Sequence, residues 1–297
     1  RLGSEVHDAI SLPFGHGELR LGERREFGRQ LQGRYDQAIL LPNTLKSALV
    51  PWWARIPVRT GWRGEMRYGL LNDLRVLDEE QYPLMVQRFV ALARPQKTPA
   101  PVLDEISAPR LEMDTSAADR ARSDLGLKRN LPILGLCPGA EFGPSKQWPE
   151  GHYAATAIEQ LRQGWQVWIF GSPNDRAVAE AIRDQVPERL RGRVQILAGK
   201  TTLAEAVDLL AGVDAVVTND SGLMHIAAAL NRPLVAVYGS SSPAFTPPLH
   251  PASEIVRLGL ECSPCFQRDC PLQHHNCMQQ LEPALVNAAL RRVTGAD

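Results

Sequence analysis

The sequence predicts an α/β protein built from doubly wound parallel sheets in two domains. From Leu131 onward, short apolar runs alternate with stretches of helical periodicity. The runs are nearly continuous rather than alternating with polar residues, as expected of strands covered on both faces. The 297 residues also exceed one ordinary compact core, and the first part of the chain shows the same order of elements less completely.

In chain order, the first domain predicts strands at 7–12 and 35–41 and helices at 19–33 and 44–54. A strand and basic loop follow over 58–67, then a helix over 79–93. Pro95, Pro99 and Pro101 rule out a regular element next, which places a linker between about 95 and 130 with a short capped helix from Thr115. The expected domains are therefore 1–125 and 126–297, enclosing a cleft. The second should hold strands at 131–137, 166–171, 193–198, 214–218 and 233–238. Helices at 150–162, 174–185, 203–211 and 221–230 lie between them, with a cysteine-rich loop and a C-terminal helix beyond. Sheets of this kind bind ligands at the carboxyl ends of their strands.

Composition narrows the function classes. Lys+Arg 33 balance Asp+Glu 33, so no global field favours nucleic acid. No apolar run reaches the length of a membrane span and the N-terminus lacks a signal-peptide pattern, so a cytoplasmic location is expected. The chain opens on Arg1, not Met, and a segment upstream is expected.

The most informative motif is Val217-Thr218-Asn219-Asp220-Ser221-Gly222-Leu223-Met224-His225, an apolar strand running through a polar turn into a helix. With Asp220 or Ser221 as N-cap, the unpaired N–H groups and positive dipole end suit a diphosphate, and Gly222 permits close approach. The alternative is an ordinary capped helix with a surface histidine. Lys146, in the loop after the 131–137 strand, is well placed to neutralise a leaving diphosphate, or is a solvated loop lysine. Asp175, after Phe170-Gly171-Ser172, can accept from ribose hydroxyls or serve as a first-turn acid. No G-x-G-x-x-G follows a strand and no G-x-x-x-x-G-K-[ST] occurs, which weighs against nicotinamide, flavin and P-loop enzymes. In the first domain, Asn43 and Lys46 in one loop and Arg59, Arg63 and Arg67 in another suit an anionic acceptor, or are solvated loop residues.

Cys262, Cys265, Cys270 and Cys277 form C-x2-C-x4-C-x6-C around His274 and His275. Such density in a cytosolic chain points to a structural metal, zinc in class, while free thiols or a redox-sensitive disulfide stay open. Cys137 reads as core.

Asn219-Asp220-Ser221-Gly222-Leu223-Met224-His225, Lys146-Gln147-Trp148-Pro149 and Thr60-Gly61-Trp62-Arg63-Gly64-Glu65-Met66-Arg67-Tyr68-Gly69-Leu70-Leu71 together resemble the ADP-heptose:lipopolysaccharide heptosyltransferases, glycosyltransferase family 9, most of all its type II members. Phe14-Gly15-His16-Gly17 and the segment 241–248 extend the likeness over nearly the whole chain. The resemblance implies a GT-B fold of two Rossmann-like domains. It implies an inverting transfer of L-glycero-D-manno-heptose from ADP-heptose to the first heptose of the lipopolysaccharide inner core, at the cytoplasmic face of the inner membrane with peripheral contact to it. Lys146, Ser172, Asp175, Asp220, Ser221, Gly222 and His225 would hold the donor, with Lys146 and His225 at the chemistry. Asn43, Lys46, Arg63 and Arg67 would face the acceptor. Family members begin with a strand and a Gly-Asp loop bearing the general base. This chain starts after that segment, so its first domain should lack its first strand and its base.

The expected reaction is in-line attack on the anomeric carbon through an oxocarbenium-like transition state, with charge building on the departing diphosphate and no cofactor required. A same-fold transferase with another donor, an inactive fragment and a non-catalytic nucleotide-sugar binder are the alternatives.

Overall fold

The computed structural model describes residues 6–15 and 17–295. The chain divides into two units. One runs up to Ser107 and takes in Ala244–Thr246; the other comprises Ala108–Pro243 and the chain from Pro247 onward.

The first unit holds α1 (Leu21–Gln30), β1 (Gln37–Leu40), α2 (Leu45–Trp53), β2 (Val58–Trp62), β3 (Asp73–Arg75) and α3 (Met85–Ala93). Its strands form a parallel sheet in the order β1-β2-β3. Leu40, Ala48 and Leu71 make one small core, and Trp62, Tyr82 and Leu92 another. The strand expected over 7–12 is not formed. These residues pair with no strand, and Ile10 and Leu12 are 40% and 54% exposed. An apolar run becomes a strand only when a ladder partner satisfies its backbone. Helix α3 starts later than expected because Asp78 accepts from the Glu80 and Gln81 N–H groups, forming a turn, and Pro83 follows.

The second unit contains α4 (Thr115–Asp124), β4 (Ile133–Cys137), α5 (Glu150–Arg162), β5 (Gln166–Ile169), α6 (Arg176–Asp184), α7 (Glu188–Arg191), β6 (Val194–Ile196), α8 (Leu203–Leu210), β7 (Ala215–Asn219), α9 (Gly222–Ala229), β8 (Leu234–Val237), β9 (Ser253–Val256), α10 (Asn276–Gln279) and α11 (Pro283–Thr294). The division at residue 107 departs from the expected boundary at 125 for a physical reason. Ala121 and Leu127 sit in the second unit's core, the Leu111 N–H donates to Ala229 O at 2.9 Å, and the Asp114 N–H donates to Asp208 Oδ1 at 2.9 Å. Asp114 also caps α4, accepting from the Ala117 N–H.

The sheet is wholly parallel, in the order β6-β5-β4-β7-β8-β9. Both faces are covered, which explains the unbroken apolar runs. Leu134, Leu136, Val167, Ile169, Val217 and Val235 pack with Tyr153, Ala157 and Leu161 of α5 and Val286 and Leu290 of α11. On the other side Ile133, Trp168, Val216, Leu234 and Ala236 pack with Leu210 of α8 and Met224 and Ala227 of α9. Burying each large side chain contributes about 1.5–3 kcal/mol. In this order the sequence of strands reverses between β4 and β7, and it is outside the carboxyl ends at such a reversal that parallel sheets of this kind take ligands.

Candidate active site

The loop after β4 and the turn after β7 meet at that reversal. Lys146 ends a single 3-10 turn, Pro144–Lys146, and its Nζ donates to Asp220 Oδ2 at 2.6 Å. The pair is largely withdrawn from solvent, with side-chain exposures of 18% and 6%. The ammonium also lies 5.0 Å from the centroid of the Phe142 ring.

Asn219, which the sequence reading passed over, pins these pieces together. It is fully buried at the end of β7. Its Oδ1 accepts from the Trp148 N–H at 3.3 Å and from the Tyr153 hydroxyl at 3.0 Å, while its Nδ2 donates to Pro138 O at 2.8 Å. Burial pushes the Tyr153 phenol well up, so the hydroxyl keeps the proton it donates. Trp148 in turn donates through Nε1 to Leu281 O at 2.8 Å. An amide side chain next to a charged turn was the available signal.

Ser221 is the N-cap of α9, with extended backbone and no side-chain capping bond. The first-turn N–H groups of Gly222 and Leu223 have no intrahelical acceptor, as at any helix start. A Cβ placed on Gly222 would meet nothing within 4 Å, so the space before it is open. His225, in the first turns of α9, has an exposed face. Desolvation by the surrounding protein lowers its pKa below the ordinary 6.5; Asp220 opposes that shift and Lys146 adds to it.

Asp175 lies across the ends of β4 and β5. Its Oδ2 accepts from the Ser172 N–H at 2.7 Å and from Ser172 Oγ at 2.8 Å, a cap for the turn that leads into α6. Its carboxylate would be 2.8 Å from a Cβ on Gly139 and 2.9 Å from one on Gly171, so a side chain at either position would displace the Asp175 carboxylate. The Ser172 hydroxyl proton is thus committed to Asp175.

Among the cationic residues of the first unit, Arg67 departs from expectation. It is fully buried rather than turned toward an acceptor. Its guanidinium donates to Pro42 O at 2.8 Å, to Asn43 Oδ1 at 3.1 Å and to Trp62 O, and desolvation lowers its pKa. It clamps a loop. Asn43, though exposed, carries that bond, and its carbonyl accepts from the Glu65 N–H at 3.2 Å. Glu65, also unread in the sequence, accepts from the Leu45 N–H at 2.6 Å and so caps α2. Arg63 is exposed, whereas Arg59 donates to Leu70 O and Ile56 O. Lys46, half-buried, helps to line a cavity of about 880 Å³ beside β1.

The cysteine-rich segment supports the Lys146 loop. Ser145 Oγ donates to Gln267 O at 2.5 Å, the Ser145 N–H donates to Arg268 O at 3.2 Å, and Gly143 packs so tightly on Arg268 that a Cβ would sit 2.5 Å from its Cγ. Burial and the neighbouring thiols of Cys262, Cys265 and Cys270 push the Cys277 thiol up. The thiols gather without forming a ligand set: among the described residues, no three His, Cys, Asp or Glu side chains are placed to hold a metal ion.

The chain resembles known proteins over most of its length. Residues 24–276 match the family model for glycosyltransferase family 9 (heptosyltransferase). Lipopolysaccharide heptosyltransferase 2 of Escherichia coli K12 is 47% identical over 290 residues, 95% of this chain and 82% of that one. Lipooligosaccharide heptosyltransferase 2 of Haemophilus influenzae is 51% identical over 260 residues, 86% of this chain and 75% of its own. The solved structure of E. coli ADP-heptose lps heptosyltransferase II has a TM-score of 0.83 at 44% identity, covering 93% of this chain and 82% of that one. The GT-B-type α/β class is shared with it.

Proposed function

The chain belongs to glycosyltransferase family 9 (heptosyltransferase), and from that premise we propose that it moves L-glycero-D-manno-heptose from ADP-heptose, with inversion, to the first heptose of the lipopolysaccharide inner core. The likeness to heptosyltransferase 2 proteins at 47% and 51% identity supports this donor and acceptor. The observation that carries the chemistry is the Lys146–Asp220 contact at the sheet's reversal point, beside the uncapped start of α9.

The acceptor hydroxyl attacks the anomeric carbon in line as the bond to the diphosphate breaks. Negative charge grows on the departing ADP, and Lys146 with the α9 N–H groups stabilises it more in the transition state than in the ground state. Asp220 is a poor direct partner for a diphosphate, because both are anionic; its part is to aim the lysine. His225, its pKa lowered, is neutral at pH 7 and donates one hydrogen bond to the leaving group. The Asp175 oxygen not taken by Ser172 accepts from the ribose. Lys46 and Arg63 attract the anionic acceptor. The lysine and the helix start together supply the neutralisation that a divalent ion supplies in other transferases, so no cofactor enters the scheme.

No helix among the described residues is long and apolar enough to cross a membrane. We place the reaction at the cytoplasmic face of the inner membrane, reached by peripheral contact. The test is incubation of the purified chain with ADP-heptose and lipopolysaccharide truncated after the first heptose, with release of ADP and gain of one heptose as the expected result. Calorimetry should rank ADP above UDP and GDP, and a preference for UDP would overturn the donor. A chain that binds ADP yet forms no product is a binder and not a transferase.

A further inference from the structure

A cavity of about 660 Å³ opens in the first unit beside the edge strand β3 and the last turn of α3. Ligand pockets commonly have this volume. Its lining residues all fall between Trp62 and Pro99, whereas Lys146 and Asp220 belong to the second unit. The donor site and this cavity are therefore built from different residues. Three cations line it, Arg75, Arg94 and Lys97, and no acid does.

Two of those cations are already spent. Arg75 donates to Asp73 Oδ2 at 2.7 Å, to Ala91 O at 2.6 Å and to Arg94 O at 2.8 Å. Arg94 meets Glu105 at 3.4 Å. Lys97 is exposed and has neither a hydrogen bond nor an ion pair among the described residues. Its charge is left uncompensated, enough for one oxyanion. Its neighbours are tied down: Gln96 Nε2 donates to Asp73 Oδ1 at 2.5 Å, and the Thr98 N–H and hydroxyl both donate to Pro95 O, at 3.3 and 2.8 Å. Lys97 itself sits at φ 64°, in the left-handed region that glycine or asparagine occupies at less cost. Backbone strain on an anchored turn, at a cation without a partner, points to a ligand.

The cavity wall supplies a second unspent donor. Tyr82 is nine-tenths buried against Trp62, with ring centroids 5.6 Å apart, yet its hydroxyl has no hydrogen-bond partner among the described residues. A buried phenol normally finds one. Trp62 is fixed by its Nε1, which donates to Arg88 O at 3.1 Å. Leu74, Val76, Pro95 and Pro99 add apolar surface, and Gln81 adds an amide. Apolar surface beside a few hydrogen-bonding groups matches a sugar ring, which offers C–H faces to the one and hydroxyls to the other.

We propose that this cavity binds a sugar unit carrying one oxyanion, a carboxylate or a phosphate, with Lys97 on the charge and the Tyr82 hydroxyl on the ring. In the transferase reading, on which this source rests, the unit is an acidic sugar of the lipopolysaccharide acceptor and not the heptose that attacks.

The full chain, with ADP at saturation, is titrated with glucuronate, glucose 6-phosphate, glucose and inorganic phosphate while NMR follows the amide signals of residues 62–99. One of the two acidic sugars should shift the signals around Tyr82 and Lys97 and bind at least about tenfold more tightly than glucose or phosphate. The tighter of the two tells a sugar acid from a phosphorylated sugar. Lys97→Gly should weaken that binding by at least about tenfold yet melt at or above the parent temperature, because glycine relaxes the left-handed backbone. Lys97→Arg should retain binding. Tyr82→Phe should fold as the parent does and bind about 2–10-fold more weakly. The proposal is overturned if neither acidic sugar binds, if glucose or inorganic phosphate binds as well as both of them, or if Lys97→Gly and Tyr82→Phe bind like the parent. Lys146→Ala should leave these shifts unchanged, so their failure is separate from failure of the transferase reading.

Discussion

Lys146 Nζ and Asp220 Oδ2 stand 2.6 Å apart although 74 residues separate them in the chain. One ends the loop after β4 and the other begins the turn after β7, strands that are neighbours in the sheet. The contact converts a flexible cation into an aimed one, beside a helix start with open space before it.

Lys146→Ala should lower kcat by about 10²–10³, the usual cost of removing one donor to a developing anion, with little change in melting temperature. Asp220→Asn keeps the cation but loosens its aim, so a smaller fall is expected. Steady-state kinetics of both variants, beside circular dichroism, checks this. Equal activity in Lys146→Ala would remove the lysine from the mechanism.

Asn219→Ala should destabilise the second unit. It leaves the Trp148 N–H, the Tyr153 hydroxyl and Pro138 O without their buried partner, at about 1–3 kcal/mol for each group left unsatisfied. Urea unfolding measures the loss. Activity should fall further than stability accounts for, because the same side chain positions the loop of Lys146.

His225 carries a pH signature. Its folded pKa lies below 6.5, so the unfolded chain takes up the proton first and protonation favours unfolding. Its contribution to stability is complete above the unfolded value and is lost as pH falls below it, levelling off under the folded pKa. Compared with His225→Gln, the parent should therefore lose relative stability from about pH 7 downward. NMR titration should also show the His225 pKa rising when ADP binds, since a diphosphate adds negative charge beside the ring. No rise would place the diphosphate elsewhere.

Arg67 and Arg63 should separate cleanly. Arg67→Ala removes a buried guanidinium from Pro42 O, Asn43 Oδ1 and Trp62 O, and should cost about 3 kcal/mol or more. Arg63→Ala and Lys46→Ala should shift stability by no more than about 0.5 kcal/mol while raising KM for the lipopolysaccharide acceptor. Thermal melts and acceptor kinetics on the three variants decide it. An Arg67→Ala protein with native stability and raised acceptor KM would restore the role first expected of it.

The sequence alone determined the alternation of elements in the second unit, the parallel sheet, and the two polar loops that meet at the Lys146–Asp220 contact. Those features are local: unbroken apolar runs follow from burial on both faces, and a polar turn between strand and helix shows its own N-terminus. The tertiary structure decided what depends on distant partners. Strands β3 and β9 are edge strands, three and four residues long, with too little apolar pattern to be read. The run at 7–12 has the pattern of a strand but no ladder partner. Arg63 and Arg67 are chemically the same four residues apart, yet one is exposed and the other buried among carbonyls, since a charge's role depends on which backbone groups long-range folding brings to it.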